Sequence, residues 1–151
     1  MNDRYLYRAK RTDNGEWVEG YVFDDGFENG RMFVGGLVIE EYHGTACDDW
    51  NITGINFYEV DPSTICQCTA LKDKNGKLIW ENDICDRKEP YPEIVTYTNG
   101  DWTLDYSYAS GKERRSNYCN LGFYTIERNN SVYVIGNIFD NHELLESKGG
   151  D

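Results

Sequence analysis

In the stretch "ALKDKNGKLIWENDI", Asp73, Asn75 and Gly76 set two oxygen donors just ahead of a glycine, and Glu81 and Asp83 follow. That spacing invites comparison with a cation loop. A calcium-binding EF-hand takes oxygens at positions one, three and five, glycine at six and a bidentate glutamate at twelve. With Gly76 at six, Asp73 and Asn75 fill three and five, but Leu71 falls at one and Asn82 at twelve. Two ligands are lost, and no flanking helices are evident. A hairpin turn uses the same residues without remainder: Asn75 and Gly76 tolerate left-handed φ, Asp73 and the neighbouring lysines stay in solvent, and Leu78 to Trp80 return to a core. Glu81, Asn82 and Asp83 then form a second turn, in which the Asp83 carboxylate accepts backbone amides.

Other residues bear chemistry in weaker patterns. Cys66 and Cys68 point to one face of a strand, and Cys85, Cys119, Cys47 or His43 would be needed to complete a zinc tetrahedron. Isolated buried cysteines more often act as small hydrophobes. A cysteine nucleophile would need His43 or His142 beside it in space, which the spacing does not supply. The carboxylate pairs Asp24-Asp25, Glu40-Glu41 and Asp48-Asp49 are adjacent in sequence, so on strands they diverge and read as solvated charge. Gly35-Gly36 lacks the lysine and helix of a phosphate loop and marks a bulge or a close backbone approach. No catalytic set, metal site or cofactor emerges. The basic residues Lys112, Arg114 and Arg115, near Tyr106, Tyr108 and Tyr118, form the single cluster that could sit on a phosphate backbone while the tyrosines stack on bases.

Charge weighs against that use. The 151 residues carry 27 acidic and 15 basic side chains, a formal charge of −12 that repels nucleic acid and favours a basic partner. The N-terminal residues lack an apolar signal core and no apolar run is long enough to span a bilayer, so a cytoplasmic protein with reduced thiols is expected, without a membrane partner. Twelve tyrosines offer amphipathic area that serves a core or a homo-oligomer interface equally well.

These residues must be positioned by strands. Residues 4 to 10 and "EWVEGYVF" flank Asp13-Asn14-Gly15 as an opening hairpin, with Trp17, Tyr21 and Phe23 on one face, Val18 and Val22 on the other, and both faces covered. "MFVGGLVIEEY" is a further strand; from His43 to Gly54 the chain reads as irregular, and "INFYEV" resumes β character before Asp61-Pro62. "STICQCT" and "KLIWENDIC" flank the first motif. "EIVTYT" and "DWTLDYSY" flank Asn99-Gly100, a strong hairpin signal. A polar loop spans residues 109 to 117. "LGFYTIE" and "SVYVIGNIF" read as the final strands around Asn129-Asn130, and a helical turn capped by Asp140 or Asn141 closes the chain. The expectation is a mostly β protein: an N-terminal β-hairpin sheet over residues 1–61, then a small SH3-like β-barrel region over residues 62–151 with a short C-terminal helical turn, with one compact domain as the alternative to two.

"DPSTICQCTALKDKNGKLIWENDI", together with "YRAK" before "WVEGYVF" and "YVIGNIFDNHELLE" at the end, resembles the YopX family of phage and prophage proteins. Asn82 stands where relatives carry glycine in the Glu-Gly-Asp turn, and asparagine is well suited to keep a positive φ there. The resemblance implies a β-rich fold and a phage or prophage origin inside bacteria, and it brings no catalytic residue. The functional expectation is a non-enzymatic accessory protein that binds a host or phage protein, with nucleic-acid binding through the loop around residues 106–118 as the alternative.

Overall fold

The computed structural model describes residues 3–28, 30–44, 46–110, 119–127 and 130–146. They form two compact units, one from Tyr5 to Cys66, the other from Gln67 onward with the N-terminal residues up to Arg4. Both are antiparallel β structures with few helical turns, as the alternating patterns and asparagine-glycine corners require.

The first unit is a meander of four strands, β1 (Tyr7–Lys10), β2 (Trp17–Asp24), β3 (Met32–His43) and β4 (Asp48–Val60), in that spatial order. Lys10 pairs with Trp17 across the first turn, where Gly15 supplies a φ of +71°. Asp24 and Asp25 close the next turn by accepting the amides of Gly26 and Phe27. Even-numbered residues of β2 to β4 build the core: Val34 and Val60 pack with Ala9 of β1, and Val18, Val22, Met32 and Ile65 surround them. At its C-terminal end β4 curls back to the chain beyond β1, where the Thr12 amide donates to the Glu59 carbonyl at 3.1 Å and the Asp61 amide to the Lys10 carbonyl at 2.9 Å. Asp61 then caps a short 3₁₀ turn, Pro62–Thr64.

Two expectations change here. The segment from His43 to Gly54 is not irregular: β3 and β4 stay paired to His43↔Asp48 and form a long two-stranded arm. Ladder hydrogen bonds hold it although its side chains lack a core, so a pattern of burial in the sequence could not reveal it. Nor is β2 covered on both sides, because Tyr21 and Phe23 are exposed.

The second unit contains the hairpin β5 (Cys66–Lys72) and β6 (Leu78–Trp80), and an open sheet ordered β10-β9-β8-β7-β11. Its strands are β7 (Asp83–Asp86), β8 (Glu93–Thr98), β9 (Asp101–Asp105), β10 (Cys119–Asn120) and β11 (Tyr133–Asn137). Ile79, Cys85, Val95, Leu104, Leu121 and Val132 form its core. The expected barrel does not close: among the described residues the outer strands β10 and β11 pair only with β9 and β7. "LGFYTIE" is helical rather than a strand, a π turn over Phe123–Glu127. Asn120 captures the Phe123 amide at 3.0 Å, which starts the turn, and Leu121 and Thr125 bury one side of it. The tail makes the expected turn at His142–Leu145, although Asn141 does not cap it; its side chain accepts the Asn137 amide instead.

Candidate functional site

The first motif is structural. Asp73 is buried rather than solvated as its turn context suggested. One carboxylate oxygen accepts the amides of Asn75 and Lys77, both at 2.9 Å, and the other accepts the Val134 amide of β11 at 3.0 Å. Gly76 alone takes the left-handed φ, +80°, while Asn75 does not. Asp83 accepts the Trp80 amide at 2.8 Å beside Asn82, whose φ is +68°. Asn99 and Gly100 both have positive φ, the type I′ corner that joins β8 to β9. These carboxylates are consumed by backbone donors.

The buried thiols are held within the fold as well. Cys66 donates to the Thr64 carbonyl, and burial, with Asp83 nearby, pushes the Cys85 thiol well above its ordinary range. Such a thiol is a poor nucleophile at neutral pH. Arg87 is buried over the Tyr124 ring, paired with the fully buried Glu93 at 2.6 Å and with Glu89 at 3.0 Å, and it donates to the Cys119 sulfur at 2.7 Å. Among the described residues no three His, Cys, Asp or Glu side chains converge as a metal set, and no helix is long and apolar enough to cross a membrane.

Of the basic loop, Lys112, Arg114 and Arg115 lie outside the described residues, as do Tyr118 and Asn129. Tyr106 packs against Tyr91 with ring centres 5.9 Å apart. The Tyr108 hydroxyl donates to the Pro92 carbonyl at 2.8 Å, and burial raises its pKa. Tyr108 is thus held by its own unit.

The surface that stands out belongs to the β3–β4 arm. Leu37 pairs with Ile55, Ile39 with Ile52 and Glu41 with Trp50, and residues opposite each other in an antiparallel pair share a face. Leu37, Ile39, Trp50, Ile52 and Ile55 therefore make one apolar face, exposed to 55%, 50%, 59%, 53% and 64%. The opposite face carries Glu40, Asn51 and Asn56, with Val38 as an exposed apolar residue. Towards the root of the arm the apolar face runs into Phe57, which meets Phe23 edge-on at 4.7 Å, and on to Tyr21.

Glycine makes this geometry possible. A side chain on Gly35 would overlap the Asn56 backbone, and one on Gly20 would meet the Gly35 carbonyl, so the three strands cross in close contact at the root. The register slips between Val38 and Ile39, leaving Thr53 as a bulge whose hydroxyl donates to the Val38 carbonyl. Between Arg31 and Lys72 the sequence has no lysine or arginine, and the tip of the arm holds Glu40, Glu41, Asp48 and Asp49. Sequence reading missed this face because it treated the second half of the arm as loop. The signal available was the alternation Trp50, Ile52 and Leu37, Ile39.

A two-unit antiparallel β protein whose interior carboxylates serve its own backbone and a buried arginine, and which displays an apolar, acid-tipped hairpin, is the class these observations define. The family model described as YopX protein matches residues 6–146, and the chain belongs to the YopX family. No curated protein matches it.

Proposed function

We propose that this protein is a non-enzymatic, protein-binding accessory factor of a phage or prophage, working in the host cytoplasm, and that the apolar face of the β3–β4 arm is its contact surface. One observation carries this reading: five large apolar side chains lie on one face of a two-stranded ribbon, each at least half exposed. Contiguous exposed apolar area of this kind is a feature of interaction sites, and a ribbon without a core of its own gains most from being covered. Its aromatic and aliphatic centre with a charged margin matches the anatomy of protein interfaces.

The charge around the face supports a basic partner. Glu40, Glu41 and Asp49 are exposed, and no lysine or arginine lies within the arm. A protein that binds nucleic acid is a natural source of the complementary surface.

The test is a pull-down from host cells carrying the phage or prophage, using wild type and the double variant Ile52→Lys, Ile55→Lys. Both positions are exposed, so the variant should keep wild-type stability within about 0.5 kcal/mol. Wild type is expected to retain a specific basic protein at moderate salt, and the folded variant to lose it. Retention of the same protein by both would overturn the assignment.

A further inference from the structure

We infer that the partner binds by adding a strand to the free edge of β4, an extended segment that carries lysine or arginine at the end meeting the arm's acidic tip. This deepens the contact proposed above and rests on that reading. β4 is the outermost strand of the first unit and pairs with β3 on one side only; on the other side, among the described residues, only its last residues are occupied, by the chain at Lys10–Thr12. From Trp50 to Tyr58 that edge has no charge and no proline. Proteins guard long edges with lysine, proline, inward charge or bulges, and here the single guard is the bulge at Thr53. The stretch Gly54–Tyr58 beyond the bulge presents regular backbone donors and acceptors, with Ile55 and Phe57 directed to the apolar face. An added strand would meet hydrogen bonds along its backbone and apolar cover on alternate side chains, the arrangement of β-strand addition.

Charge selects the occupant. Were a second copy to pair its own β4 antiparallel here, any register using the whole free edge would set Asp48 or Asp49 across from, or diagonal to, Glu59 of the other copy. Arg31 is already paired with Glu59 and Arg11 with Asp13, so that end offers the tip acids of a second copy no uncommitted arginine to attract them. A strand with lysine or arginine at its tip-facing end meets the acidic tip instead, without a like charge opposed at that end.

The experiment uses the full chain and pooled extended peptides with alternating apolar residues, whose ends are both Lys, both Gln or both Glu. Selection should enrich the Lys-ended peptides, with affinity falling about tenfold on exchange to Glu ends. In the complex, hydrogen exchange at alternate amides of residues 54–58, those pointing away from β3, should slow by about tenfold or more. Enrichment of Glu-ended peptides, enrichment of none, or exchange at residues 54–58 left unchanged by a bound peptide would overturn the inference. So would a free chain that is dimeric with these amides already protected. If Ile52→Lys, Ile55→Lys abolishes partner binding while β4 amides exchange freely in the wild-type complex, strand addition fails and the arm's apolar face stands. If the double variant binds as wild type does, the contact surface itself fails.

Discussion

Asp73 shows how a residue that looks like a ligand can instead hold a fold. Its two oxygens satisfy three amides from the turn and from β11 in a site closed to water, and charge-assisted hydrogen bonds of this type are among the stronger ones. Asp73→Ala is expected to lower stability by at least about 3 kcal/mol in urea unfolding, because three donors lose their acceptor in the interior. A loss under about 1 kcal/mol would mean the carboxylate is not the organiser of that turn. Asp61 offers a pH test at the surface. Ser63, through its hydroxyl and then its amide, holds the Asp61 carboxyl below 3.8. A depressed folded value means that its contribution to stability is present above the unfolded pKa and fades as pH falls through the folded one. Ser63→Ala should move the Asp61 titration upward in a carboxyl-detected NMR series; an unchanged midpoint would contradict the assigned cause. The turn at Asn75-Gly76 was legible because its residue types have few other uses. The burial of Asp73 was not, because the Val134 amide that completes its site is distant in sequence and enters from another strand.

At the scale of elements, hairpins with glycine or asparagine corners were readable, since left-handed φ restricts the residues that can occupy them. The arm was not. Among the described residues its far half holds no buried side chain, and burial periodicity is what sequence reading detects. The helical turn at Phe123–Glu127 was missed for a related reason: aromatic and β-branched residues suggest a strand, while the deciding contact is the Asn120 side chain on the Phe123 amide. The root of the arm gives the sharpest test at this scale. A methyl group at Gly35 would overlap the Asn56 backbone, so Gly35→Ala must push β3 from β4 and should cost about 2 kcal/mol or more. Hydrogen exchange would show the loss concentrated in β3 and β4. An unperturbed arm in that variant would mean the strands are not in such close contact.

For the whole molecule, the sequence supplies a charge balance and one candidate surface, and the structure adds a second surface. The net charge of −12 favours a basic partner, and the sequence candidate for nucleic-acid contact is the loop around residues 106–118, whose basic side chains lie outside the described residues. The structure offers a hydrophobic face on the first unit, bounded by acids, and within the loop region it ties the Tyr108 hydroxyl to the Pro92 carbonyl. The most direct test places a photo-activated cross-linking residue at Ile52, on the apolar face, and separately at Asn51, on the polar face, in protein produced in the host cell. The account predicts an adduct with one basic protein from position 52 and little or none from position 51. Equal adducts from both positions, or no adduct from position 52 in the folded protein, would contradict it.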